Sequence, residues 1–269
     1  MKKYKRVIIG LVWIVLLSSI SYAEHIWVGL YSKKAQSSQK SIQSIISREN
    51  IGSMANAIAE EWRRGYYLID LEQGARTWMG VFSKSTNYKG QSLYHSGNWN
   101  KFKKFIDKKA KEGFSLIDIE YGDGEWVGIF AKGVEFDTQV YTVDKEWNSF
   151  GKNISAKWRE GYRLTEIEAG DGKIVGLFAK NTGIKEQTYI NRDDWDGVRT
   201  TIRRHWKDGY RLSMIEYGEG RWFVLFSKDS SRNAEAYNGI YGWERFRKEI
   251  KNYWKDSYDI VSISSGWYD

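Results

Sequence analysis

Glu72, Glu120, Glu168 and Glu216 recur at intervals of 48 residues, and Ser264 holds the fifth place. Carboxylates at a fixed spacing have three uses. Two at a defined separation can hydrolyse a glycosidic bond. Several brought to one axis repel one another, raise one another's pKa and attract a cation or cationic ligand. Or each accepts hydrogen bonds from the glycine-rich turn that follows it, with Asp123, Asp171 and Glu219 serving the same turn. A column repeated in four units fits one catalytic pair poorly. The cation and turn readings both stay open, and the four glutamates are candidate ligand or channel residues.

Other chemistry is sparse. There are three histidines, His25, His95 and His205, and no two share metal-ligand spacing. His205 sits where other units carry Glu61, Lys109, Lys157 and Tyr253, so the position reads as solvent-facing. Ser37-Ser38-Gln39-Lys40 and Ser149-Phe150-Gly151-Lys152 spell Ser-x-x-Lys, but no Lys-Thr-Gly partner exists. With no cysteine, a thiolate metal site, a cysteine nucleophile and a disulfide scaffold are excluded. The expectation is a non-catalytic protein with no cofactor and no metal.

The elements that would position these residues form a repeat. Gly65-Tyr66, Gly113-Phe114, Gly161-Tyr162, Gly209-Tyr210 and Ser257-Tyr258 step by 48. So do Leu71, Ile119, Ile167, Ile215 and Ile263, and Gly74, Gly122, Gly170, Gly218 and Gly266. Each unit reads helix, strand, strand, strand. Trp99, Phe102, Ile106 and Ala110 mark one helical face, matched by Trp147, Phe150, Ile154 and Trp158. The Gly-Tyr pair ends the helix, where glycine takes the left-handed conformation. Asp123-Gly124 is a hairpin signal. Trp126-Val127-Gly128-Ile129-Phe130 is apolar on both faces and is expected to be buried on both. Gln139-Val140-Tyr141 begins the third strand.

The chain ends are complementary. The last unit stops before its second strand, and His25-Ile26-Trp27-Val28-Gly29-Leu30-Tyr31 is a second strand with no first. The fold expected is an α+β repeat: a closed, propeller-like ring of five units, with the N-terminal strand completing the last. Closure removes bare sheet edges. The order of helix, Trp-x-x-Gly-Tyr-x-Leu, Ile-x-x-Gly and aromatic strand resembles the tandem repeat domains at the N-terminal side of polyglycine hydrolases. It is also similar to an uncharacterised domain C-terminal to the kinase in plant casein-kinase-like proteins. For those hydrolases the resemblance implies a propeller-like ring, with the hydrolytic chemistry in a separate β-lactamase-like domain that nothing here matches.

Residues 1–23 read as a cleaved secretory signal. Lys2, Lys3, Lys5 and Arg6 precede the apolar run Val7 to Leu17, and Ser21-Tyr22-Ala23 gives small residues before Glu24. An eleven-residue run is too short for a membrane-spanning helix, which needs about 20 residues. The prediction is a ring domain over 24–269, secreted or periplasmic. The formal charge of +8 falls to +4 without residues 1–23, which hold four basic and no acidic side chains. That mild balance does not demand a nucleic-acid partner.

Fourteen tryptophans are unusual, and their regular columns point to packing between units. Function is expected where units differ. The loops at Asn87-Tyr88-Lys89-Gly90, Val134-Glu135-Phe136, Asn181 to Glu186 and Ser230 to Asn233 fall between second and third strands. Loops on a rigid frame commonly carry binding, which makes Tyr88 and Phe136 candidates. Lys104, Lys108 and Lys111 crowd one helix and read either as a solvated face or as attraction to an anionic surface. The functional expectation is an exported scaffold presenting variable loops to an envelope protein, or alternatively to a glycan such as peptidoglycan.

Overall fold

The computed structural model describes residues 24–33, 42–228 and 236–268. The signal segment, Ser37-Ser38-Gln39-Lys40 and the Ser230 to Asn233 loop lie outside the described residues.

The chain opens with β1 (Glu24–Lys33). Then β2 (Gln43–Arg48), α1 (Ile51–Arg63), β3 (Tyr67–Gly74) and β4 (Thr77–Ser83) make one unit. The order recurs in β5 (Gly90–Ser96), α2 (Trp99–Lys111), β6 (Ser115–Gly122) and β7 (Glu125–Lys132). A third unit has β8 (Gln139–Asp144), α3 (Trp147–Arg159), β9 (Arg163–Gly170) and β10 (Lys173–Ala179). The fourth has β11 (Glu186–Arg192), α4 (Trp195–Lys207), β12 (Arg211–Gly218) and β13 (Arg221–Lys228). The chain ends on β14 (Ala236–Tyr241), α5 (Trp243–Lys255) and β15 (Tyr258–Tyr268).

Each sheet has three antiparallel strands, in the orders β2-β4-β3, β5-β7-β6, β8-β10-β9, β11-β13-β12 and β14-β1-β15. The short third strand after each hairpin therefore crosses to the next sheet, where it pairs with that sheet's middle strand. The last sheet takes its middle strand from the N-terminus: Val28 faces Gly239 on one side and Ser264 on the other. The inner strands β3, β6, β9, β12 and β15 touch in a closed cycle, β15 returning to β3. The helix-plus-three-strand repeat and the completing N-terminal strand are thus both present.

Local chemistry explains the elements. Asn50 and Asn98 cap their helices by accepting from the Ser53 and Lys101 backbone N–H at 2.8 and 3.0 Å. Gly65, Gly113, Gly161 and Gly209 end the helices with φ of 79°, 78°, 85° and 82°, and Ser257 is forced to 65°. Asp123-Gly124 and Asp171-Gly172 have positive φ at both residues, as a two-residue hairpin turn of type I′ requires. Phe102, Ile106, Phe150 and Ile154 are buried as the spacing predicts. Ala110 is not: it is exposed at the helix end, where other units carry a half-buried tryptophan.

Between sheets, the tryptophan columns are almost fully buried: Trp27, Trp78, Trp126 and Trp222 are at most 1% exposed. The glycine of the following unit makes room. A Cβ on Gly122 would stand 2.7 Å from Trp78 Cζ2, and one on Gly266 2.6 Å from Trp222 Cη2. The Gly-Tyr column also meets the lysine column. Lys84, Lys132, Lys180 and Lys228 place Nζ 4.5, 4.5, 4.5 and 4.3 Å from the ring centres of Tyr66, Phe114, Tyr162 and Tyr210, a cation–π contact repeated in four units.

Candidate functional site

The inner strands begin at one end of the ring and reach their hairpin turns at the other. Each end carries a cavity.

At the beginning of the strands, a cleft of about 300 Å³ is lined by the loops after β4, β7 and β10. Tyr88 comes from the first loop, Phe136 from the second and Ile184 from the third, over a floor that includes Leu164, Met214 and Leu225. Sequence reasoning named Tyr88 and Phe136 separately, and the fold brings them to one cleft. Asn87, Glu135 and Gln187 supply polar groups, and Thr86 Oγ1 is buried with no hydrogen-bond partner. Asn87 Nδ2 donates to Glu135 Oε1 at 2.7 Å, tying the first loop to the second. The floor residues sit at ordinary buried strand positions, and only the ring's curvature brings them together under one cleft.

At the hairpin end, Glu72, Glu120, Glu168 and Glu216 do converge on the axis. They are 3%, 5%, 4% and 8% exposed and line one cavity of about 280 Å³. Burial pushes all four carboxyls well above the usual carboxylate range, and their neighbours' negative charge adds to it, Glu216 on Glu72 and Glu168 on Glu120. Their hydrogen bonds run mostly to the neighbouring unit. Glu120 Oε1 accepts from the Gln73 N–H at 3.0 Å and Glu72 Oε1 from the Ser265 hydroxyl at 2.7 Å. Glu216 Oε1 accepts from the Tyr217 N–H at 2.9 Å. In each case the donor residue immediately precedes the column glycine.

A second acidic layer, Asp70, Asp118 and Glu166, lies two residues earlier on the same strands. Its members also step by 48, and the sequence reading passed over them. Asp118 Oδ2 accepts from the Leu71 N–H at 2.7 Å, and Asp70 Oδ2 from the Ile263 N–H at 2.8 Å. Burial, and then Asp118, raise Asp70 well above its ordinary pKa. Strand alternation puts both layers on one face, and a β-bulge sets that face opposite Leu68 and its equivalents. Each inner strand shifts register against its middle strand at the same point, between Leu68 and Asp70 in the first unit and between Leu116 and Asp118 in the second.

The turn acids have their own task. Asp123 Oδ2 accepts from the Trp78 indole N–H of the preceding unit at 2.7 Å.

The histidine expectation needs correction. His205 is half-buried, stacked on Phe226 at 4.3 Å, with Nδ1 3.0 Å from the Thr201 carbonyl. Glu61, at the equivalent position, is 1% exposed and accepts from the Ser44 hydroxyl. The position faces its own sheet rather than solvent. His95 is held at 2.6 Å by Glu125, and His25 packs edge-on between Trp27 and Trp267.

Lys104, Lys108 and Lys111 are exposed on α2, and none lines either cavity. No helix among the described residues is long and apolar enough to cross a membrane.

A family model described as a domain of unknown function, DUF7477, matches residues 10–175. The chain matches no curated protein.

Proposed function

We propose, for a chain that belongs to the DUF7477 family, a non-catalytic binding module that is exported and presents its unit-variable loops to a partner protein of the envelope. One observation carries the reading. The loops that the repeat leaves free to vary, in three consecutive units, meet over a single cleft with Tyr88 and Phe136 at its wall. An apolar floor under adaptable amide and hydroxyl groups suits a protruding apolar side chain of a partner. The ring is a rigid mount, since every sheet is bonded to the next. The resemblance to the repeat domains of polyglycine hydrolases agrees with a module whose chemistry, if any, belongs to another protein.

The test is site-specific photo-crosslinking in the native cell from position 136, with position 104 on the α2 face as control. A discrete protein adduct from 136 and none from 104 supports the reading. Adducts of equal yield from both, or none from 136, overturn it.

A glycan reading is favoured by a different place. Tyr241, 38% exposed, and Tyr268 line a cavity of about 300 Å³ with Arg199 and Asn238. Asn238 Nδ2 there is buried without a partner. Aromatic faces beside amide and guanidinium groups suit a sugar. Retarded migration in gels containing envelope glycan, abolished by Tyr241→Ala, would establish it. Unretarded migration of the native protein would remove it.

A further inference from the structure

The repeat asks for five side chains at the hairpin end of the axis and supplies four glutamates. The fifth place is Ser264, 1% exposed, with its Oγ bonded to nothing. Glu168, 4% exposed and lining the axial cavity, has an Oε2 that accepts from no N–H or hydroxyl of the protein. The cavity above this layer measures about 280 Å³, and no lysine or arginine lines it. Its rim is aromatic: Tyr121 and Trp267, the latter 47% exposed.

We infer that this axial mouth is a binding site for a small organic ammonium ion, a protonated primary alkylamine. A carboxylate offers only acceptors and an ammonium only donors, so the two are complementary. The aromatic rim attracts the same charge through its ring faces. The volume holds a chain of a few methylenes and no folded partner. A metal ion is a poorer occupant, because among the described residues no three acidic or imidazole groups stand close enough to hold one. The site is separate from the loop cleft and does not rest on the reading given for it.

Binding has a proton balance. Glu120 and Glu168 are close enough to share a proton, and burial keeps the glutamate layer protonated beyond the usual range. An ammonium N–H supplies the donor that this proton otherwise supplies, so RNH3⁺ enters as H⁺ leaves. The groups that set this exchange are the four column glutamates on the inner strands and, behind them, Asp70, Asp118 and Glu166. On β1, His25 faces the same cavity, and burial lowers its pKa, favouring the neutral ring. Affinity therefore rises with pH.

Calorimetry of the purified protein with 1,5-diaminopentane, and separately with N-acetyl-lysine methylamide, tests this. The expected result is one site whose heat differs between buffers of different ionisation enthalpy, as proton release requires. Affinity should rise from pH 6 to pH 8. Glu168→Gln, which mimics the protonated carboxyl, should weaken binding by roughly 30-fold or more with no lower melting temperature. Trp267→Ala, altering an exposed side chain, should weaken it roughly fivefold. Binding of the diamine alone identifies a free amine as ligand, and binding of the lysine derivative alone identifies a lysine side chain. No binding of either at millimolar concentration overturns the inference. So does binding undiminished in both variants, or equal binding of uncharged 1,5-pentanediol.

Discussion

Gln43 and Ile260 lie 217 positions apart and bond as one amide pair: Gln43 Nε2 donates to the Ile260 carbonyl at 2.8 Å, and Gln43 Oε1 accepts the Ile260 N–H at 2.9 Å. The same oxygen accepts the Trp254 indole N–H at 2.9 Å. Gln91 does this to Leu68 and Trp62, and Gln187 to Leu164 and Trp158. Gln139 bonds Leu116 in the same way, though its unit has Ala110 where the others have the tryptophan. The contact that closes the ring is therefore the contact that joins three other pairs of neighbouring units. It sits beside the bulge, where the inner strand has a backbone group that its own sheet leaves unpaired.

Replacing Gln43 by Ala leaves a partly buried N–H, a carbonyl and an indole N–H without partners. The expected cost is about 2–4 kcal/mol, from about 1–3 kcal/mol per buried group left unsatisfied. Gln91→Ala should cost about as much, because closure uses no special chemistry. Urea unfolding of both variants checks this: a cost for Gln43→Ala far below that for Gln91→Ala would mean the ring is open in solution. Deleting residues 24–33, the middle strand of its sheet, should abolish the cooperative transition.

Stability should fall as pH rises. The folded pKa values of Glu72, Glu120, Glu168 and Glu216 lie above their unfolded values, so the folded state keeps protons that the unfolded chain has released. Their contribution is complete below the unfolded value, near 4.3, and is lost as pH climbs through the folded values. The urea midpoint of the native protein is expected to drop from about pH 5 to about pH 8. Glu120→Gln should flatten that drop. Equal slopes in the two proteins would remove the axial carboxyls as its cause.

Ser257→Gly should stabilise. Ser257 adopts the left-handed conformation with φ of 65° that glycine adopts in the other four units, and that conformation costs a residue bearing a Cβ about 1–2 kcal/mol. Glycine's greater freedom when unfolded offsets part of this. The melting temperature should rise, by about 1 kcal/mol of added stability or less. An unchanged or lower value would show that the serine side chain contributes something there that glycine cannot.

Phe136→Ala separates binding from folding. Phe136 belongs to a loop that the repeat does not fix, and it lines the cleft. Partner capture should fall by roughly tenfold or more, as for an aromatic anchor. The urea midpoint should stay within error of the native protein. Loss of both together would place Phe136 in the core instead.

Much of this was legible in the sequence because its causes are local. Five units follow from the 48-residue step, the buried faces of the helices from the spacing of Phe102 and Ile106, and the hairpins from Asp123-Gly124. The left-handed helix ends follow from Gly65 and its equivalents. Even closure was readable, as a second strand at one terminus and its absence at the other. The helical faces, hairpins and helix ends depend on neighbours a few residues away, so a window of sequence contains their physics.

The rest needed the tertiary structure. A bulge is one residue in an unbroken strand, and nothing in Leu68-Ile69-Asp70 announces it. Yet it turns Asp70 and Glu72 to the face opposite Leu68 and leaves the backbone groups that Gln43 and its equivalents satisfy. The third strand carries no mark that it joins the next sheet. His205 looked solvent-facing because the helix alone does not show that Phe226 on the middle strand will stack against it. Tyr88 and Phe136 share a cleft only because the ring curves three loops toward one place. Register, curvature and the meeting of like charges at an axis are set by all five sheets at once, which is why composition and spacing brought the glutamates into a column and only the fold brought them into contact.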